Sequence, residues 1–519
     1  MTQYARSLIL GLLVLSSLAV IPAPAQQISL IPAPTILEIH EGTYTYPSLT
    51  PVYAFDEFLV VASLLSEHPF AQMMPVERVK SHKRIPEGGI RLVRARPEDQ
   101  LSADAYRLIV DTGSVTIVGH QPIAVINGIL SLLQLAYTQP DGRVLPALMI
   151  EDRPRFAYRG LHLDVSKHFY PVSFLKKFID LMALYKFNTF HWHLADDAGW
   201  RLEIKQYPAL TQRAAWRTHV KWSDWWENGR RYLDRGHPNA SGGYYTQNEA
   251  RELVAYAARK GITIIPEIEL PGHSAAVLAV YPELSCSGKP YAHTEYCVGK
   301  EQTSVFLMQV LNELIDIFPS EYIHIGGGEV HTNSWASCQQ CQALMEKEGL
   351  KEVMDLRGYM IKRIDSLLRS KGKKLIGWDG ILEGGASAGT TVMSRQGQEF
   401  GLQAVNAGHP VIMAPQSYLS FDRYQSEEDS HPQQNAEYTP LHQVYAYDPI
   451  PGALPADKLG LILGASGTVG TEYMATWEQV EYMVFPRALA LAEVVWSDPK
   501  KHNWTDFQQR LKQHYSLLQ

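Results

Sequence analysis

The chain has 519 residues, a formal net charge of -7 at neutral pH and 19% charged residues. With no block of like charge along it, that balance disfavours nucleic acid or an anionic membrane as a partner and leaves a neutral substrate as the better fit. The length is too great for one small module and suits a large domain of about 250 residues or more joined to a smaller one.

Residues 1–25 carry one positive charge, Arg6, an apolar run from Leu8 to Ile21 and the small-residue ending Ala23-Pro24-Ala25. This pattern predicts a secretory signal peptide, a mature chain starting near Gln26, and export to a periplasmic or extracellular location. No later stretch reaches about 18 apolar residues, so no membrane span is expected in the mature chain. A retained N-terminal anchor is the alternative.

From Gln26 to Asp152, short alternating strands such as Ala105 to Val110 and Val115 to Val118 accompany one apolar helical run, Ala124 to Tyr137. This predicts a small α+β domain over residues 26–152. The Pro-containing stretch Asp152-Arg153-Pro154-Arg155 marks its boundary.

After Phe156 the pattern becomes apolar strand, polar loop and amphipathic helix, repeated to the end of the chain. Eight strands are predicted: Gly160 to Val165, Thr189 to Leu194, Thr263 to Ile268, Tyr322 to Ile325, Lys374 to Trp378, Thr391 to Ser394, Val411 to Ala414 and Leu461 to Gly464. Predicted helices include Pro171 to Tyr185, Thr246 to Lys260, Val305 to Phe318, Val353 to Ser370 and Trp477 to Trp496. Eight such units over residues 153–519 predict an α/β fold, a (β/α)8 TIM barrel preceded by the small α+β domain.

Barrel sites are assembled from loops at the carboxyl ends of the strands, and the chemistry of this chain gathers there. Lys167 follows the first strand and Asp196 the second; Glu267, Glu269 and His273 accompany the third; Glu329, Trp378, Asp422 and Glu472 follow later ones. Glu329 stands after three glycines, Gly326-Gly327-Gly328, where a general acid is well placed. Asp196, His273 and Glu329, on consecutive strands, compose a carboxylate, imidazole and carboxylate relay. The plainer alternatives are a helix cap for Asp196 and Glu329 and a turn histidine for His273. A rival chemistry is a metal-dependent barrel hydrolase using His191 and His193, which share one face of a strand, with Asp196 or Asp197. The late strands offer it no further histidine, so neither metal nor cofactor is expected.

The four cysteines are Cys286, Cys297, Cys338 and Cys341. Behind a signal peptide they read as two disulfides, with Cys286–Cys297 and Cys338–Cys341 favoured by spacing. A zinc site made from all four thiolates competes, against the wide gap between the first pair.

Four segments carry a resemblance: Arg159-Gly160-Leu161-His162-Leu163-Asp164-Val165, His191-Trp192-His193-Leu194-Ala195-Asp196-Asp197-Ala198-Gly199-Trp200-Arg201, Pro266-Glu267-Ile268-Glu269-Leu270-Pro271-Gly272-His273 and His324-Ile325-Gly326-Gly327-Gly328-Glu329. In that order they resemble glycoside hydrolase family 20, the β-N-acetylhexosaminidases, across nearly the whole mature chain. The resemblance implies hydrolysis of terminal β-linked N-acetylglucosamine or N-acetylgalactosamine from oligosaccharides or glycoconjugates. It implies a retaining mechanism in which the substrate's acetamido oxygen is the nucleophile and Glu329 the acid and base. Asp196 and His273 match relay residues, Trp378 a wall of the acetamido pocket, and Asp422 and Glu472 groups that bind hydroxyls.

The departures from the family pattern cluster around the same site. Gly328 stands where a carboxylate usually orients the acetamido nitrogen, and Lys167 replaces a forked arginine. Gly380 replaces an acidic residue, Arg395 a tryptophan, Ser420 an acetamido-binding tyrosine and Gly470 another pocket tryptophan. The implied enzyme is therefore expected to be slow, the alternative being a carbohydrate-binding protein on the same scaffold.

Overall fold

The structure is a computed structural model describing residues 28–518 apart from 70, 81–84, 140–141, 427–433 and 453. The expected signal peptide lies outside the described residues. Seven strands build the first sheet: β1 (Ile36–Thr45), β2 (Val52–Phe55), β3 (Val76–Val79), β4 (Ile90–Arg94), β5 (Tyr106–Val110), β6 (Val115–Gly119) and β7 (Val144–Asp152), in the order β1-β7-β5-β6-β4-β2-β3. Helix α1 (Pro122–Thr138) covers it. Apolar on nearly every side, α1 buries residues from Ala124 to Ala136, with β5 and β6 beneath it. Its buried amide Gln134 accepts from Ile31 N–H at 2.9 Å and donates to Ile31 O and Leu184 O at 2.7 and 2.6 Å, so the amide is fully met there.

The second sheet closes on itself. Its parallel strands are β8 (Tyr158–Asp164), β9 (Thr189–Asp196), β10 (Thr263–Ile268), β11 (Tyr322–His324), β12 (Lys374–Trp378), β13 (Thr391–Ser394), β14 (Val411–Met413) and β15 (Ile462–Gly467), with β15 pairing β8 and β8 pairing β9. All eight predicted strands are present. Every residue of β8 and β9 is buried, as expected for parallel strands covered on both faces.

Between them run α2 (Val172–Leu184), α3 (Gln247–Arg259), α4 (Glu301–Ile317), α5 (Asn333–Ser337), α6 (Gln339–Glu348), α7 (Asp355–Ser370) and α8 (Gln398–Asn406). α3 starts on a capping box, Thr246 accepting from Glu249 N–H while Glu249 accepts from Thr246 N–H. The long helix expected over Trp477 to Trp496 is two, α9 (Trp477–Val484) and α10 (Arg487–Trp496). Pro486 has no N–H to continue the first and opens the second. The closing helix is α11 (Trp504–Leu518), and among the described residues no helix is long and apolar enough to cross a membrane.

The two parts meet through buried polar groups. Asp152, at the end of β7, accepts from Tyr106 Oη at 3.0 Å, Lys186 Nζ at 3.2 Å and Trp496 Nε1 at 2.9 Å. Another expectation is corrected: the four cysteines are free, and Cys286 is not bonded to Cys297 nor Cys338 to Cys341. Cys297 Sγ lies 3.6 Å from the Sγ of Cys338 and of Cys341, and Cys286 Sγ 3.9 Å from Cys341 Sγ, far beyond the bond length of about 2.05 Å. Loop convergence brings all four together, so proximity along the chain does not set their partners.

Candidate active site

Register places the site's floor. Asp164 on β8 pairs with His193 on β9, His193 with Glu267 on β10, and Glu267 with His324 on β11, so four polar residues from consecutive strands share one level. Glu267 is fully buried. Its Oε2 lies 2.8 Å from His191 Nε2 and 2.8 Å from His193 Nδ1; its Oε1 lies 3.0 Å from His324 Nδ1 and accepts from Trp378 Nε1 at 2.8 Å. Burial pushes the Glu267 carboxyl up, but its attraction to the surrounding His324, His193 and His191 rings outweighs this and holds it well below the usual carboxylate range. Burial lowers His191, whereas Glu267 and Asp164 overcome burial and raise His193. His191 and His193 thus both meet the buried Glu267 carboxylate, and His193 Nε2 also lies 3.5 Å from Asp196 Oδ2.

Above this floor a cleft of about 200 Å³ is lined by His162, Asp164, Lys167, His193, Asp196, Glu269, His273, Gly328, Glu329, Trp378, Asp379, Arg395, Gln396, Thr468, Gly470 and Glu472. Asp196 belongs to β9 itself, where the sequence predicts a loop, since Ala195 and Asp196 fold back to pair with Trp200 and Gly199. Lys167 Nζ donates to Asp196 Oδ2 at 2.5 Å and lies 3.0 Å from Asp164 Oδ2 and 3.7 Å from Glu472 Oε1. Three carboxylates converge on one ammonium. Burial works against charging these groups, yet Lys167 is raised well above its ordinary value and Asp196 held well below its own by the mutual attraction.

His273 Nδ1 lies 3.2 Å from Asp197 Oδ2 and 3.4 Å from Asp196 Oδ1. Burial opposes its charging, but Asp196, then Asp197 and Glu269, push it up to about 12, so it is an imidazolium at neutral pH. Its backbone sits at φ 49°, a left-handed conformation uncommon for a non-glycine residue and frequent where a functional side chain is presented. Glu269 accepts from Gly327 N–H at 3.2 Å, and burial together with the charge of Glu267 pushes its carboxyl up to about 8. It is a neutral acid beside a row of ions.

Glu329 is exposed in the cleft on the loop after β11. That loop lies against the one carrying His273: a Cβ on Gly272 would meet Glu329 O at 2.3 Å, so only glycine permits the approach. Trp378 forms a wall, with Arg395 Cζ 5.9 Å from its ring. Asp379 accepts backbone N–H bonds from Arg395 and Gln396 at 3.0 and 2.8 Å, fixing the turn after β13.

Of the predicted residues, Glu329, Asp196, His273, Lys167, Trp378, Glu472, Gly328, Arg395 and Gly470 line the cleft, whereas Asp422, Gly380 and Ser420 do not. Asp422 is buried behind Gly470, whose Cβ would stand 2.9 Å from Glu472 Oε2 and 3.3 Å from Asp422 Oδ2. Ser420 is buried with its Oγ 3.4 Å from Thr468 Oγ1. Gly380 abuts the backbone: a Cβ there would lie 2.2 Å from Gly328 O and 2.6 Å from Arg357 Nη2. The sequence reading gives Asp197 only the rival metal role, and Asp164, Asp379 and Gln396 none. The doubled acid Asp196-Asp197 is the visible signal for the first.

Comparison with known proteins agrees in extent with the two parts of the fold. Residues 156–499 match the model of the glycosyl hydrolase family 20 catalytic domain, and residues 27–153 that of the family's domain 2. A β-hexosaminidase of Porphyromonas gingivalis is 37% identical over 508 residues, covering 95% of this chain and 63% of that protein. One from Vibrio furnissii is 36% identical over 409 residues, 76% and 66% of the two. The chain therefore spans under two thirds of these two relatives. The exo-β-N-acetylglucosaminidase of Vibrio harveyi, solved with N-acetylglucosamine, superposes with a TM-score of 0.83 at 31% identity, over 96% of this chain and 78% of that one. The β-N-acetylhexosaminidase of Bacteroides fragilis does so with 0.81 at 29%, over 94% and 95%.

Proposed function

Because this chain belongs to glycosyl hydrolase family 20, we propose that it is an exported β-N-acetylhexosaminidase that removes terminal β-linked N-acetylglucosamine or N-acetylgalactosamine from oligosaccharides or glycoconjugates. The observation carrying this reading is the convergence of Glu329, His273 and Asp196 on one cleft, with Asp197 paired to His273, from loops pressed together at Gly272. Export is supported by the N-terminal pattern of residues 1–25.

In this mechanism the substrate's acetamido oxygen attacks the anomeric carbon while the Glu329 carboxyl gives its proton to the leaving oxygen, breaking the glycosidic bond and forming an oxazolinium. Glu329, now a carboxylate, takes a proton from the water that opens this intermediate, returning retained sugar. His273, an imidazolium paired with Asp196 and Asp197, is a positioning residue for Glu329. Trp378 packs against one face of the sugar, and Glu472 receives a hydroxyl.

The same cleft predicts a low rate. No side chain at Gly328 orients the acetamido N–H, and the Lys167 ammonium is engaged by three carboxylates, which leaves it no forked pair of donors for two hydroxyls. Parallel assays on chromogenic N-acetylglucosaminide and glucoside test the proposal. Slow hydrolysis confined to the first supports it. Saturable binding of N-acetylglucosamine without turnover would instead make the protein a lectin-like member of the scaffold, and no interaction with either would remove the substrate assignment.

A further inference from the structure

The segment between β10 and α4 is long, residues 269–300, and carries Cys286 and Cys297 after Pro271, Gly272 and His273. The segment between β11 and α6 carries Glu329 first and Cys338 later, and Cys341 lies in the first turn of α6. Both emerge at the carboxyl ends of their strands, and their far ends meet as their near ends do. Cys297 Sγ lies 3.6 Å from Cys338 Sγ and 3.6 Å from Cys341 Sγ, and Cys286 Sγ lies 3.9 Å from Cys341 Sγ. All four sulfurs lie within 4.8 Å of one another.

These distances are those of a coordination shell. Around a zinc ion with bonds of about 2.3 Å, the edges of a regular sulfur tetrahedron measure about 3.8 Å. Cys338-Gln339-Gln340-Cys341 supplies two ligands with the two-residue gap of a zinc knuckle, at the start of a ten-residue helix whose free N–H groups favour thiolates. Cys286 and Cys297, separated by ten residues, complete the set by loop closure.

The surroundings are built for the approach. A Cβ on Gly299 would stand 2.3 Å from the Gln340 carbonyl carbon and 2.4 Å from Cys341 N, so glycine alone lets the chain after Cys297 lie on the knuckle. Lys300 Nζ donates to Glu283 O and Ser285 O at 2.9 and 2.6 Å, Cys297 N–H to Leu284 O at 2.8 Å, and Trp335 Nε1 to Tyr296 O at 2.9 Å. Three of the cysteines are buried and Cys286 is half-buried, and none lines the sugar cleft.

We propose that Cys286, Cys297, Cys338 and Cys341 bind one zinc ion in a closed, four-thiolate structural site that ties the His273 loop to the Glu329 loop. Four protein ligands leave no open position for water, so the ion takes no part in the sugar chemistry. All-thiolate tetrahedral coordination selects zinc over magnesium or calcium.

Metal analysis of the full-length protein after exhaustive dialysis is the primary test, since it needs no variant that folds. About one zinc per chain is expected, together with four cysteines that resist alkylation until an organomercurial displaces the ion. Metal-stripped protein should melt at a lower temperature and recover with zinc but not with magnesium. Cys341→Ser should lose the zinc. Peptide mapping without reduction that finds Cys286–Cys341 and Cys297–Cys338 disulfides and no metal would overturn the proposal, and stoichiometric iron in place of zinc would overturn the choice of ion.

Discussion

Lys167 Nζ stands 2.5 Å from Asp196 Oδ2, on the carboxylate whose other oxygen lies 3.4 Å from His273 Nδ1. Asp196 is therefore shared between the lysine and the imidazolium. Lys167→Met leaves Asp164, Asp196 and Glu472 close together without their cation and should cost about 3 kcal/mol or more of stability at neutral pH. The acid limb gives the sign. Against burial, the charges of Lys167 and His193 hold Asp164 down from 3.8 to about 2, so its contribution is complete above about pH 4 and lost as pH falls towards about 2. In the variant that loss should begin at higher pH; urea midpoints that fall in parallel for parent and variant would show that Lys167 is not what holds these groups.

Glu329→Gln removes the proposed acid and base from a side chain that is exposed in the cleft. Turnover of an N-acetylglucosaminide with a poor leaving group should drop at least about 100-fold with the melting temperature unchanged. An unaltered rate would place the acid elsewhere.

Gly328→Asp should raise hydrolysis of N-acetylglucosaminides by about 100 to 1000-fold and leave glucosides unaffected, because only the former present an N–H to orient. The backbone accepts the side chain: Gly328 is outside the left-handed region, and its Cβ would meet nothing nearer than Trp378 at 3.6 Å. A well-folded variant with no gain would shift the limit to Gly470 or Lys167.

His273→Asn tests the ion pair by its pH dependence. Because the imidazole is raised from 6.5 to about 12, its pairing stabilises the protein fully below about pH 6.5 and is lost as pH rises towards 12. The excess stability of the parent over the variant should thus be greatest near pH 6 and shrink on going to about pH 10, as read from paired melting curves. A gap that widens instead would contradict a charged His273. Asparagine suits the left-handed backbone there, so strain does not confuse the comparison.

The eight barrel strands were legible because each is a short apolar run bounded by turn residues, and the observed ends differ by few residues. Pro486 was equally visible, but the apolar run through it read as one helix, since periodicity does not register a missing N–H. Residues at strand ends, such as Asp196 and Glu329, could be placed from topology alone. Ser420, Asp422 and Gly380 could not. Their absence from the cleft lining depends on neighbours in space, Gly380 against Gly328 O, Asp422 behind Gly470 and Ser420 beside Thr468, which no one-dimensional pattern encodes. The cysteines failed for the same reason: spacing pairs neighbours in the chain, whereas loop closure assembled all four.

The contact between Gly380 and Gly328 O also makes the two positions unequal as targets for substitution. With the carbonyl 2.2 Å from where a Cβ at 380 would sit, an acidic residue at 380 requires the 328 backbone to move first, while an aspartate at 328 requires nothing of 380. Reversal towards the family pattern is open by one route and closed by the other.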